Sequence, residues 1–388
     1  MTKRGETDDP IIHRIAEASG APDLVQRLSD LAPTDLQSLL MRVYQERIRK
    51  GHVRNVMETY RENRYLGVSE LDQREIVRFD GLFHSVVPLD VQAVELSPVS
   101  PLGVNGLLAR ISQNNVLTTI RNIEVVGDPT TALALECALR RQSLLKTNAK
   151  DATDVSLCTS QRLLRLQHFD RSMGYMQHFK CFGLCTAGRD TGHEDFEIRT
   201  LATHLGIWLR LIRRLNEDVF RADDITVSLS DMRIMERLVS HAGVSRAEAM
   251  RNTPNLDYRP FTSHAIDLPE QVEDATGLDE TAIRKYAIGT PVALLAKMRA
   301  CVIESLQRAF PEVAFCIKLD RVAGIGYYDD LCFHIHGTNL SGKRLLLSDG
   351  GFTGWTQKLL QSRKERLLAT GFGADLFHKM FRRTATKP

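Results

Sequence analysis

Residues 320–335 read DRVAGIGYYDDLCFHI. Two glycines bracket an isoleucine, two tyrosines follow, then two acids, then an apolar run carrying His334, with His336 two residues on. The glycines suit a loosened bend or a close backbone approach. The apolar run LCFHIHGT reads as a strand. On a strand, Tyr327 and Tyr328 point to opposite sides, while His334 and His336 share a face. Two histidines with no third ligand nearby read as core or pocket residues, so no metal site is expected.

Outward from this stretch, VAFCIKLD on one side and RLLLSDGG on the other read as further strands. Upstream, SQRLLRLQHFD and MQHFKCFGLCTA form an apolar pair joined by a polar turn at 171–174, an antiparallel hairpin. VQAVELSPVSPLG and NNVLTTIRNIEVVGD read as strands, and DITVSLSD as another. LDQREIVRFDGLFHSVV, PTTALALECALRRQSLL, DFEIRTLATHLGIWLRLIRRL, PVALLAKMRACVIESLQRAF and TQKLLQSRKERLLAT carry helical spacing. Hairpins dominate and no strict strand–helix–strand alternation appears. The expected class is therefore α+β, a mostly antiparallel sheet flanked by helices. Residues 1–68 form an N-terminal helical extension. Residues 69–220 and 291–388 form the core, interrupted at 221–290 by an inserted, mainly helical module.

Composition narrows the function. The 388 residues are 43% hydrophobic and 26% charged, with a formal net charge of +3. That balance suits a globular protein and offers no charge-built nucleic-acid groove. No apolar run approaches a membrane span and no signal core follows the polar N-terminus, so a cytoplasmic protein is expected. Seven scattered cysteines argue against a disulfide framework. Cys181 and Cys185 lie four apart with no second pair to answer them, and read as buried thiols. Neither a Gly-x-Gly-x-x-Gly turn nor a Walker loop is present.

Four stations stand in order. Asp128 and Thr130 mark a strand-to-helix turn in GDPTTALALE. Arg165 and Gln167 lie on one arm of the hairpin and Phe179 on the other. Tyr327 and Tyr328 follow, then DGGFTGW and GFGADLF. In order and spacing, residues 70–382 resemble the catalytic core of class II aminoacyl-tRNA synthetases, histidyl-tRNA synthetase and its paralogues above all. Asp128-Pro129-Thr130 is similar to the turn that holds the amino acid's α-amino group. Arg165-Leu166-Gln167 is similar to the second motif, whose arginine grips the ATP α-phosphate. Phe179 falls where an aromatic stacks on adenine. GIGYYDDLCF resembles the histidine-binding signature, and GFGADLF the third motif.

The resemblance implies a set of roles. Arg165 and Gln167 would serve catalysis. Arg165, Phe179, Gly371 and Gly373 would hold ATP, with Mg2+ bridging its phosphates. Asp128, Thr130, Gly324, Tyr327 and Tyr328 would hold an amino acid, one tyrosine lining the side-chain pocket and the other packing beneath it. Arginine's planar fork matches phosphate oxygens. Activating a carboxylate asks mainly for positioning and charge stabilisation.

The pattern also departs from the family. Ala323 stands where the signature has arginine, Gly326 replaces its acid, and Gln167 replaces a glutamate. The third-motif arginine position falls near Phe377 and His378, with Arg382 beyond; Arg121, Arg189 and Arg321 are the candidate replacements. No stretch fits an anticodon-binding domain, so tRNA charging is not expected. The expected function is ATP-dependent activation of an amino acid and transfer to a non-tRNA acceptor, a protein, carrier or amine. The alternative is a non-catalytic amino-acid sensor similar to the ATP phosphoribosyltransferase regulatory subunit. A homodimer is expected through residues 72–98. A third-motif arginine supplied by the tail would support the enzyme; an apolar or anionic patch at the ATP position would count against it.

Overall fold

Apolar alternation in eight- to twelve-residue runs builds most of the sheet. The strands are β1 (Gln92–Ala93), β2 (Val99–Pro101), β3 (Ile123–Val125), β4 (Val155–Leu164), β5 (His178–Arg189), β6 (Asp223–Asp231), β7 (Gln271–Val272), β8 (Ala314–Lys318), β9 (Leu331–Thr338), β10 (Arg344–Thr353) and β11 (Glu365–Phe372). The computed structural model describes residues 9–167, 176–252 and 259–383. Nine strands form one sheet in the order β1-β4-β5-β11-β10-β9-β6-β8-β7, and β2 pairs with β3 apart from it. Only β1 with β4 and β6 with β8 run parallel. The sheet is thus mostly antiparallel and flanked by helices. The hairpin turn expected at 171–174 lies outside the described residues.

Three elements differ from the sequence reading. TQKLLQSRKERLLAT is a short helix, Trp355–Leu360, followed by strand β11. Gln361 takes a left-handed φ of 50° and ends the helix. The residues after it fill the central slot between β5 and β10, so tertiary pairing overrides local helical spacing. VQAVELSPVSPLG is two separate strands, β1 and β2, in different sheets. The 221–290 stretch begins with β6, which pairs with both β9 and β8 and belongs to the main sheet.

Helix Gln73–Val86 starts at Asp72, whose carboxylate caps Arg74 N. Its apolar face is buried in the chain's own core, where Phe83 stacks on Phe182 at 4.2 Å and on Trp208 at 5.7 Å. Ile76, Phe79 and Phe83 are thereby buried within the chain. Trp208 comes from the long helix Asp195–Asn216, which carries acids in its first turn and arginines in its last, matching its dipole. The four helices between Pro10 and Glu62 bury a single residue, Ala16. No described helix is long and apolar enough to cross a membrane.

Candidate active site

A cavity of about 1080 Å³ opens between the helix that starts at Pro129, the 320–330 turn and the sheet strands β5, β10 and β11. All ten residues singled out in the sequence line it: Asp128, Thr130, Arg165, Gln167, Phe179, Gly324, Tyr327, Tyr328, Gly371 and Gly373.

Asp128 is the N-cap of helix Pro129–Thr147, with proline at the first helical position. Its Oδ1 accepts from Thr130 N at 2.9 Å and Thr130 Oγ1 at 2.7 Å. Its Oδ2 accepts from the Tyr327 hydroxyl at 2.9 Å. Burial first, then the Asp128 charge, pushes the Tyr327 phenol well above its usual pKa, so it remains a donor.

Tyr327 and Tyr328 do not alternate on a strand. Both precede β9, in a turn where the backbone N–H groups of both donate to Gly324 O. Their rings meet edge to face at 4.8 Å, and both line the cavity. Gly324 makes the turn possible: its φ is +102°, and a Cβ there would stand 2.7 Å from the Tyr328 ring.

Arg165 lies one residue past β4, and Gln167 farther along the loop. Arg165 N donates to Gln177 O at 3.0 Å, extending the hairpin. Its Nε donates to Gly127 O at 2.7 Å, and Nη2 stands 3.7 Å from Asp128 Oδ2. The guanidinium also rests 5.3 Å from the centre of the Phe179 ring. Phe179 lies on β5, across the hairpin.

None of the three candidate replacement arginines reaches the cavity wall. Arg189 sits 3.8 Å from Glu365, Arg321 is buried beneath the wall on Asp349, and Arg121 does not line the cavity. Among the described residues the arginines on the wall are Arg110 and Arg165. Near the place expected for the third-motif arginine, His378 turns into the core against Phe79 and Phe220, 3.5 Å from Glu75. Arg382 lies 3.6 Å from the same Glu75. The wall beyond Gly373 is Asp375 and Leu376, one acid and one apolar residue.

Sequence reasoning missed two of the wall's carboxylates, Asp349 and Asp375. Each wall carboxylate has its own arginine: Arg165 with Asp128 at 3.7 Å, Arg321 with Asp349 at 2.8 Å, Arg162 with Asp375 at 3.3 Å. Asp349 was visible as the acid of SDGG, and only its cross-strand neighbours reveal that it faces a cavity. Cys181, also on the wall, is buried, and burial pushes its thiol up to about 12. Among the described residues no three of His, Cys, Asp and Glu gather to hold a metal.

The architecture has known counterparts. A structure described as an ATP phosphoribosyltransferase regulatory subunit/histidyl-tRNA synthetase from Bacillus halodurans C is similar with a TM-score of 0.57 at 16% identity, over 82% of both chains. The fold is that of a class II synthetase-like core. A histidine–tRNA ligase subunit from Alicyclobacillus acidocaldarius is similar with TM-score 0.57 at 13% identity, over 80% of this chain and 95% of that one. Histidyl-tRNA synthetase from Nostoc sp. PCC 7120 follows with TM-score 0.56 at 13% identity, over 82% of this chain and 74% of that one. At these identities the likeness speaks to the fold. No protein-family model and no curated protein matches the sequence. Within the synthetase-like core, the cavity lies where the sequence stations converge.

Proposed function

We propose that the protein binds a free amino acid in this cavity and acts as an amino-acid sensor rather than an adenylating enzyme. The observation that carries this reading is the side-by-side placement of Asp128 and Arg165, 3.7 Å apart on the cavity wall. A carboxylate beside a guanidinium is complementary to the ammonium and carboxylate of a zwitterion. Thr130 and Tyr327 hold Asp128 in place for this.

A magnesium triphosphate fits the wall poorly. Phosphate oxygens call for several cations, and the described wall sets Arg110 and Arg165 against the carboxylates of Asp128, Asp349 and Asp375. Three carboxylates face the cavity, each with an arginine beside it, and Phe377 and His378, near which the third-motif arginine is expected, are buried. Asp375 and Leu376 supply the acidic and apolar wall that counts against ATP.

The second reading is the ATP-dependent ligase with a non-tRNA acceptor. It is favoured by Arg165 and Phe179 lining one cavity of about 1080 Å³, spacious for an amino acid alone.

Calorimetric titration of the full chain with the common amino acids, beside amino-acid-dependent exchange of pyrophosphate into ATP, tests both readings. Binding without exchange is the expected result. Exchange that vanishes in Arg165→Ala establishes the ligase instead. Absence of both binding and exchange removes both readings.

A further inference from the structure

Asp349 lies in the middle of β10, paired across the ladder with His334 of β9 on one side and Gly371 of β11 on the other. Gly371 in turn pairs with Gly183 of β5. Residues paired across strands point to one face, so Asp349, Gly371 and Gly183 form a row, of which Asp349 and Gly371 line the cavity. Gly371 leaves the floor beside Asp349 without a side chain, and the helix start covers Gly183, so a trough runs from Asp349 over Gly371 and ends against Pro129. At its far end a Cβ on Gly183 would stand 3.0 Å from Pro129, the residue after Asp128. The trough therefore runs from the Asp128 corner to Asp349 across two strand spacings, roughly 10 Å. That is the reach of an amino acid with a side chain of a few bonds and a hydrogen bond at each end.

The acid at the end of the trough is half committed. Asp349 Oδ1 accepts from Arg321 Nη2 at 2.8 Å and lies 3.6 Å from His334 Nε2. Arg321, its side chain 3% exposed, is fixed in turn by Ala323 O at 2.7 Å. Oδ2 accepts no hydrogen bond from the described residues, and the side chain keeps 39% of its surface open. Burial opposes ionisation of Asp349, and Arg321 and His334 together outweigh it, holding the carboxyl well below its usual range.

We propose that Asp349 selects the ligand's side chain: the bound amino acid carries a side-chain N–H donor, an amide, imidazole or amine, that donates to Asp349 Oδ2. This rests on the amino-acid reading above. An acidic side chain would set two carboxylates together. An aliphatic one would strip water from Oδ2 and give nothing back.

Isosteric ligand pairs test it. Glutamine is titrated against glutamate, and asparagine against aspartate, with histidine and lysine completing the panel. In the wild type the best N–H donor is expected to bind at least about tenfold tighter than any acidic or aliphatic amino acid, the worth of a hydrogen bond to a charged group. In Asp349→Asn the amide offers both donor and acceptor, and the preference should fall below about threefold. A wild type that binds acidic or aliphatic amino acids as tightly as donors overturns the proposal without reference to any variant. A folded Asp349→Asn protein with unchanged preferences overturns it too. In both cases the amino-acid reading stands; a wild type that binds no amino acid removes both.

Discussion

Asp128 Oδ2 is shared between the Tyr327 hydroxyl at 2.9 Å and the Arg165 guanidinium at 3.7 Å. One oxygen thus links the helix N-terminus, the 320–330 turn and the end of the β4–β5 hairpin. Arg165→Ala removes the cation of the pair. It should weaken amino-acid binding by about 10- to 100-fold, the range for a charge-assisted hydrogen bond. Asp128→Asn retains the N-cap, so the melting temperature should hold while affinity falls by a similar factor. Calorimetric titration beside a thermal melt checks this; unchanged affinity in both folded variants would remove the zwitterion pair from the site.

The Arg141–Glu365 pair is fully buried, with bonds of 2.9 and 3.1 Å between helix Pro129–Thr147 and the first residue of β11. Arg141 also donates to Thr153 O and Asp151 O. Arg141→Met leaves the buried Glu365 carboxylate with Arg189, at 3.8 Å, as its remaining cation and should cost about 3–5 kcal/mol. Adding Glu365→Leu should recover much of that loss. Urea unfolding of the single and double variants decides it, and a single variant within about 1 kcal/mol of wild type would show that Glu365 finds another partner.

Two groups, a half-buried carboxyl and a buried imidazole, give opposite pH slopes. Burial first, and Asp231 second, raises the Asp330 carboxyl to about 7 from its usual 3.8. Between those values the folded protein keeps a proton that the unfolded chain releases, so stability falls as pH rises and levels off above about 7. Burial lowers His204 from its usual 6.5 to about 3, its ring held between Thr186 and Thr370. Here the unfolded chain takes up the proton, so stability is present above 6.5 and is lost as pH falls toward 3. Asp330→Asn should therefore gain stability relative to wild type as pH rises from 4 to 7. Urea midpoints across this range measure the difference, and parallel curves would contradict the assignment.

Residues 10–62 bury only Ala16 among their four helices, and their link to the core is local. Arg64 and Tyr65 each donate to Leu166 O at 3.2 Å, and His178 meets Gly67 O at 2.6 Å. We propose a domain boundary here. A chain starting after Gly67 should fold with nearly the same melting temperature, because almost no apolar surface is lost. Leu166 lies between Arg165 and Gln167, so the truncation should loosen the cavity rim and alter ligand affinity more than stability. A truncated chain that fails to fold would contradict the boundary.

Much of the fold was legible in the sequence, for identifiable reasons. β4, β5, β9 and β10 are long enough for alternation and apolar content to declare them. Asp128 followed by Pro129 announced a helix start through capping chemistry. β11 was not legible, because ERLLAT satisfies a helical as well as a strand pattern and only the slot between β5 and β10 decides between them. The tyrosine pair was seen but its geometry was not, since a turn held by Gly324 at φ +102° looks like the start of a strand when read in line.

By itself, the sequence determined which residue types the protein has available: an acid and a hydroxyl at a helix start, an arginine and an aromatic across a hairpin, glycines before paired tyrosines. Capping, periodicity and glycine's freedom are local, so they can be read from neighbours in the chain. Tertiary structure alone decided which charges meet. Asp128 finds Arg165, Asp349 finds Arg321 and Asp375 finds Arg162 through tertiary contacts between residues 28 to 213 apart in the chain. Coulomb energy depends on distance in space, and the charge balance of the cavity appears only when the sheet closes.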